Sequence, residues 1–342
     1  MNAPPDTPTP LPQAVSAFGL RSPIESRFLP EGLMNRNWRL HSAVGSFALK
    51  ELRDIDATRA RRNLAVLARL AETGLPIPVP IAAADAEDWV VEIDDRAFYL
   101  FPWIEGVRIP GLDLTMSQTA ELGDLLGRLH SRLNDSSTGM PRAELGQSTA
   151  CTVQNAYDQL DRFEAAIADR TCRDAFDDKA AEVLRRRRHL IDAHCSSRPA
   201  DAVPAAPIGW VHGDFHSTNL LWNQGHVAGI LDWDRIKVQP LGEEVVRAAL
   251  LHFKDDDGRL DLQRAAAFID GYRGVVSIRD DAIADALQRL WWHHLTSFWI
   301  LRYHYDRAEY SCDYLLEPRE NLLHWWTDNR DEVESAFTGS AR

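Results

Sequence analysis

The stretch from Gly209 to Gly242, GWVHGDFHSTNLLWNQGHVAGILDWDRIKVQPLG, constrains this chain more than any other. Its centre reads as a hairpin. Asn219–Trp222 is apolar and strand-like, Asn223–Gln224–Gly225 is a turn, and His226–Leu231 is a second strand. If the arms pair around position 225, Asn219 and Asp232 lie opposite each other, with Cα atoms ~4.5–5.5 Å apart. An amide oxygen and a carboxylate then meet at the open end of the hairpin. These are hard oxygen ligands, the kind Mg²⁺ takes together with phosphates. Asp214 precedes them on a non-strand turn after Trp210–Val211 and can face the same point. A lone Asp is more often a turn residue than a ligand. Three such groups converging by strand geometry favour a site.

The chain has 342 residues, enough for two lobes of ordinary size, and 45% hydrophobic residues give it a core to bury. A formal charge of -13 argues against nucleic-acid binding. The cysteines, Cys151, Cys172, Cys195 and Cys312, are scattered without metal or redox spacing and read as reduced thiols of a cytoplasmic protein. Residues 1–13 carry five prolines and no apolar stretch, so a disordered tail without a signal peptide is expected. Residues 337–342 read as a second tail. No apolar run is long enough for a membrane span. The sequence leaves the oligomeric state open.

From residue 14 to 105 the pattern is β-rich. Ile24–Leu29, Asn37–His41 and Ser46–Leu52 read as strands, and Trp89–Ile93 with Ala97–Phe101 as a hairpin. One helix, from Ala57 to Glu72, carries Leu64, Leu67 and Leu70 at helical spacing. After a boundary near Pro102–Gly106, residues 106–336 read as mainly helical. Leu122, Leu125, Leu126 and Leu129 make one stripe, Tyr157–His194 a long helical region, and Leu262–Tyr272 and Ala282–Arg307 two further helices. Arg185–Arg188 is expected to be a solvated helix face. The segment Leu290–Tyr305 is dense in aromatics and reads chiefly as a buried helix.

His212–Gly213–Asp214, with Asn219 five residues after the Asp, resembles the catalytic loop of the aminoglycoside phosphotransferase and choline kinase family. Asp232, in Ile230–Leu231–Asp232–Trp233–Asp234 and thirteen residues past Asn219, resembles the family's metal-binding Asp. The resemblance runs from about Ile24 to the C-terminal helices, specific in the catalytic stretch and diffuse elsewhere. It implies a protein-kinase-like, two-lobed α+β fold with a small β-rich lobe and a larger helical one. It also implies transfer of the γ-phosphoryl group of ATP or GTP, with Mg²⁺, to a hydroxyl of a small molecule.

By the same resemblance Asp214 is the catalytic base, Asn219 and Asp232 hold the metal, and Asp234 approaches a second metal or the substrate. His212 and His216 support the loop, and zinc at these histidines is not expected, for want of a third ligand. Lys50 matches the phosphate-binding lysine. Its usual Glu partner is replaced by Asn63, which can offer Lys50 only a neutral hydrogen bond. The turn Pro30–Asn35 is expected over the phosphates, and the Pro102 carbonyl and Ile104 N–H at the adenine. Trp291, His294, Trp299 and Arg302 are weaker candidates for the acceptor pocket. Homoserine, amino alcohols, sugars and antibiotics are all open as acceptors. Two other classes share the fold: a protein-serine/threonine kinase, and a catalytically silent binding protein.

Overall fold

The computed structural model describes residues 10–21, 23–30, 35–85 and 87–339. Contacts divide the chain into two compact units, and the division does not follow chain order. The first takes the chain up to Pro110 together with Arg128–Ala143 and Trp210–Lys237; the second takes Gly111–Gly127, Glu144–Gly209 and everything from Val238. The catalytic stretch therefore packs with the β-rich part of the chain.

In the first unit a short helix α1 (Leu11–Ala17) precedes β1 (Glu25–Leu29), β2 (Arg36–Ser42), β3 (Gly45–Glu51), α2 (Ala57–Ala71), β4 (Val91–Ile93) and β5 (Arg96–Pro102). The strands form one five-stranded sheet, order β1-β2-β3-β5-β4, antiparallel throughout. Alternation sorts its faces. Trp38, Leu40, Leu49, Phe98 and Leu100 pack with Ala14, Val15 and Phe18 of α1. Residues 11–13, expected in a disordered tail, are thus the first turn of a helix that covers this face; residues 1–9 and 340–342 lie outside the described residues. A separate cluster gathers Leu52, Ala60, Leu64, Val90 and Tyr99, where α2 lies. Asp56 caps α2 by accepting from the Arg59 N–H at 2.7 Å.

The second unit is helical. It holds α3 (Met116–Leu133) as far as Gly127, then α4 (Val153–Ala168), α5 (Ala175–His194), α6 (Leu241–His252), α7 (Leu262–Arg273), α8 (Asp280–Thr296), α9 (Trp299–Leu301), α10 (Leu316–Asp328) and α11 (Arg330–Thr338). Tyr157–His194 is two helices, because Asp174 builds a capping box that starts α5 afresh. Two expectations need correction around Arg187. The run Arg185–Arg188 is a solvated face at three positions but not at the fourth: Arg187 is buried, and its Nε donates to Glu320 Oε1 and Oε2 at 3.0 and 3.1 Å. Its Nη1 donates to the carbonyls of Leu295 and Ser297, at 3.3 and 2.8 Å. The helix expected over 282–307 is broken at Ser297, which is extended (φ -99°, ψ 118°), and the chain is helical again over 299–306; Arg187 satisfies carbonyls that the break leaves without a helical partner.

Among the described residues no helix is long and apolar enough to cross a membrane.

Candidate active site

Lys50 lies on β3 directly opposite Tyr99 on β5. Its Nζ stands 2.6 Å from Asp232 Oδ1 and 2.7 Å from Asp234 Oδ2. Burial alone would push the ammonium pKa down, but Asp232 and then Asp234 outweigh it, and the group sits well above the usual lysine range. Burial would likewise raise Asp232, yet Lys50 holds its carboxyl below the ordinary Asp value. The ion pairs keep both partners charged.

The two carboxylates are not equivalent. The Asp234 side chain is 5% exposed and that of Asp232 38% exposed. Asp234 Oδ1 accepts from the Tyr99 hydroxyl at 3.1 Å, and Oδ2 accepts from Asn35 Nδ2 at 2.7 Å as well as from Lys50. Burial first, and Asp234 next, hold the Tyr99 phenol well above its usual range, so it remains a donor. Asn35 is fixed in turn, its Oδ1 accepting from the backbone N–H groups of Arg53 and Asp54 at 2.8 and 3.2 Å. Asp234 is an internal counter-ion, whereas Asp232 presents its outer side to solvent. Glu31–Met34, the rest of the turn expected over the phosphates, lie outside the described residues.

Asn63 does not hold Lys50. Its Nδ2 donates to the carbonyls of Trp233 at 2.9 Å and Asp234 at 3.4 Å, and its Oδ1 accepts from Arg62 Nη2 at 2.8 Å. The amide is spent on the backbone that carries the counter-ion, which explains why a Glu is absent here: a carboxylate would face two carbonyls with no proton to give. Asn63→Glu should accordingly destabilise the protein by about 1–3 kcal/mol, the cost of leaving buried polar groups unsatisfied. Urea unfolding checks this; wild-type stability would break the assignment.

The hairpin comprises β7 (Leu220–Asn223) and β8 (His226–Ile230). Gln224 and Gly225 make a two-residue turn with φ of 50° and 83°, the left-handed pair that a type I′ turn needs. The register runs Asn223↔His226 and Trp222↔Val227, then steps to Leu221↔Gly229 and Leu220↔Ile230. Asn219 consequently faces Leu231, whose N–H reaches the Asn219 carbonyl at 2.8 Å, and the expected pairing with Asp232 is off by one. Asp232 lies one step further, at a left-handed φ of 60° that ends the strand. Such a conformation in a non-glycine residue costs of order 1–3 kcal/mol and is concentrated at functional sites.

The loop after β6 (Ile208–Val211) is held from below. His212 is fully buried; its Nδ1 accepts from the Asp214 N–H at 3.2 Å, so the proton sits on Nε2, which donates to the Leu231 carbonyl at 3.0 Å. Gly213 has φ +84°, and a Cβ there would lie 2.2 Å from the Arg235 carbonyl oxygen. Only glycine allows that approach. Asn219 Nδ2 donates to the Asp214 carbonyl at 2.9 Å and lies 3.3 Å from its Oδ2. His216 Nε2 is also 3.3 Å from Asp214 Oδ2, while its Nδ1 pairs with the Thr218 hydroxyl at 3.0 Å. Asp214, His212, His216 and Asn219 thus form one connected loop.

Two carboxylates and an amide oxygen are suited to a hard cation that completes its shell with phosphate oxygens. Among the described residues no group of three or more His, Cys, Asp or Glu could hold a metal alone. Of the two carboxylates at Lys50, Asp232, 38% exposed, is the one open to such a cation. Beyond β5, Trp103 N–H donates to the Ser46 carbonyl at 2.9 Å, and Ile104 lies against Gly229, where a Cβ would come within 2.8 Å of its Cδ1.

A match to the phosphotransferase enzyme family, APH, covers residues 25–276. The chain belongs to the phosphotransferase enzyme family. Like its relatives it is a small-molecule kinase, and it carries the α+β kinase-like fold, a small antiparallel sheet with a helical remainder. The homoserine kinase of Bradyrhizobium diazoefficiens is 24% identical over 266 residues, 75% of this chain and 72% of that one. A microcompartment-associated aminopropanol kinase matches with TM-score 0.61 at 15% identity, covering 95% of this chain and 97% of that one. The amicoumacin kinase hAmiN, in complex with AMP-PNP, Ca²⁺ and Ami, matches with TM-score 0.60 at 16% identity, covering 92% of each chain.

The weaker acceptor candidates of this phosphotransferase lie in its helical unit. Trp291 is buried and its Nε1 donates to Thr327 Oγ1 at 3.0 Å, so it serves the core. His294 packs edge-on against Trp326, with burial pushing its imidazole pKa well down. Trp299 is half-buried against Tyr303, and Arg302 Nη1 donates to Gln159 Oε1 at 2.8 Å. Tyr99 escapes the sequence reading, although it shares the β-face parity that pairs it with Lys50, and Asn35 reads in the sequence only as the end of the turn expected over the phosphates, not as a partner of Asp234.

Proposed function

We propose that this phosphotransferase moves the γ-phosphoryl group of ATP to the hydroxyl of a small amino alcohol or hydroxy amino acid of the homoserine type. The observation that carries the reading is the pair of carboxylates, Asp232 and Asp234, converging on Lys50 in the unit that also holds Asp214. A lysine so held can receive phosphate oxygens without first being ordered, which spares side-chain entropy of up to ~2 kcal/mol.

Asp214 orients the acceptor hydroxyl and takes its proton as the oxygen attacks the γ-phosphorus and the bond to the β-phosphate oxygen breaks. Asn219 and His216 fix Asp214, and His212 fixes the loop. Asp232 and the Asn219 amide oxygen would hold Mg²⁺, with Asp234 behind them; bound there, the ion neutralises charge on the phosphates. The Pro102 carbonyl and Ile104 N–H are assigned to adenine. Homoserine kinases among the curated relatives and an aminopropanol kinase among the fold neighbours support the acceptor class. Cysteines that are all free support a cytoplasmic setting.

The test is a coupled assay of ADP release with Mg–ATP and a panel comprising homoserine, 1-amino-2-propanol, choline, spectinomycin and simple sugars. Acceptor-dependent ADP release that is strongest with homoserine or the amino alcohol, and lost with EDTA, is expected. Turnover confined to a sugar or an antibiotic would overturn the acceptor class. No acceptor-dependent release from any compound, alongside phosphorylation of added protein, would overturn the reading as a whole.

A further inference from the structure

Lys50 stands between two carboxylates, and the proposed function gives one of them, Asp232, to Mg²⁺. A lysine held by that aspartate alone would lose its anchor once Asp232 turned to a cation. The other carboxylate is built to stay. Asp234 Oδ1 accepts from the Tyr99 hydroxyl at 3.1 Å, and Oδ2 accepts from Asn35 Nδ2 and Lys50 Nζ, each at 2.7 Å. With a donor on each oxygen, the carboxylate cannot turn without breaking a charge-assisted hydrogen bond.

The supports lead back to the strand that carries the lysine. Tyr99 is the direct partner of Lys50 across β3 and β5. Asn35 Oδ1 accepts from the N–H groups of Arg53 and Asp54, just past the end of β3, at 2.8 and 3.2 Å. Lys50, Asp234, Asn35 and the chain leaving β3 therefore close a ring, all of it inside the first unit. Tyr99, Asn35 and Asp234 are buried. Helix α2 reaches the ring through Asn63, on the backbone carbonyl of Asp234. Among the described residues no α2 side chain hydrogen-bonds Lys50.

We propose that Tyr99 is a positioning residue for the phosphate-binding lysine, acting through Asp234, with Asn35 bracing the same carboxylate from its other oxygen. Asp234 keeps hold of Lys50 when Asp232 turns to the metal, and so takes the part of the usual Glu. This rests on the reading of Lys50 as the residue that meets phosphate oxygens.

The experiment is calorimetric titration of the full-length protein with Mg–AMP-PNP and with adenosine, which has no phosphate for Lys50 to meet. Tyr99→Phe keeps the ring and removes the hydroxyl. It should weaken Mg–AMP-PNP binding about three- to tenfold, the scale of one hydrogen bond, and leave adenosine binding unchanged. In a Lys50→Met background the same change should cost nothing further, because Tyr99 acts through the lysine. Three results overturn the inference: unaltered Mg–AMP-PNP affinity in Tyr99→Phe, an equal loss for adenosine, or an undiminished loss in the Lys50→Met background. Lys50→Met binding Mg–AMP-PNP as the wild type does would overturn the reading of Lys50 itself, and the inference with it. If Lys50→Met fails to fold, the comparison of the two ligands on Tyr99→Phe decides alone.

Discussion

Asp214→Asn should lower phosphoryl transfer by about 10²–10⁴-fold, the range of general acid–base effects, and leave nucleotide affinity nearly unchanged. The substitution isolates the proton step. An asparagine at 214 can turn its amide oxygen toward Asn219 Nδ2 and His216 Nε2, which now lie 3.3 Å from the Asp214 carboxylate. The buried His212 contact uses only the backbone N–H of residue 214, which the change does not touch. Loop geometry therefore survives while the proton acceptor is lost. Steady-state kinetics with a parallel ATP titration make the measurement. Turnover at the wild-type rate would remove Asp214 from the chemistry, and a large loss of ATP affinity would assign it to the nucleotide instead.

The second large effect is on stability, and it separates the two carboxylates that flank Lys50. Asp234→Ala should cost about 3–5 kcal/mol, as expected when one partner of a buried ion pair is removed. It strips a counter-charge from Lys50 and leaves the Tyr99 hydroxyl and the Asn35 amide without their acceptor. Asp232→Ala should cost about 1 kcal/mol or less, because that side chain is 38% exposed and water screens its pair with Lys50. The order should reverse for function: Asp232→Ala should abolish Mg²⁺-dependent ATP binding in a protein that still folds. Urea unfolding of the two variants under identical conditions is the check. Equal losses would mean that Asp234 is not the internal counter-ion, and the explanation of Asn63 would fall with it.

The elements that sequence revealed are those whose signals are local. Alternation in residues 46–52 and 97–101 marks β3 and β5, and their pairing sets Lys50 against Tyr99. The hairpin turn was legible because glycine at 225 tolerates a positive φ, but its register was not. The step between Leu221 and Trp222 leaves Ala228 unpaired beside Gly229; an isolated strand glycine hints at such a bulge but does not say how the register moves. Asn63 shows the same limit from the other side. Helical spacing puts it on the buried face of α2, but only the fold shows that its amide meets Trp233 and Asp234, residues some 170 positions away. Arg187 sits in a run of four arginines whose other members are paired at the surface with Glu182, Asp161 and Glu164. Nothing in that run tells which one turns inward.

The discontinuous make-up of the first unit has a consequence for how the protein is made. Trp210–Lys237 supplies both counter-ions of Lys50, and it follows Gly111–Gly127 and Glu144–Gly209 of the other unit in the chain. A ribosome that has just finished Pro110 still has 127 residues to add to complete Lys237, roughly 6–25 s of synthesis at ~5–20 residues/s. For that interval the nascent sheet carries Lys50 with neither aspartate to meet it. Incomplete intermediates with exposed apolar surface tend to aggregate, and a fragment ending at Pro110 is expected to behave as one. Splitting the gene for a two-fragment reporter would have to respect this: the cut belongs beyond Lys237, so that one piece carries every residue of the clamp.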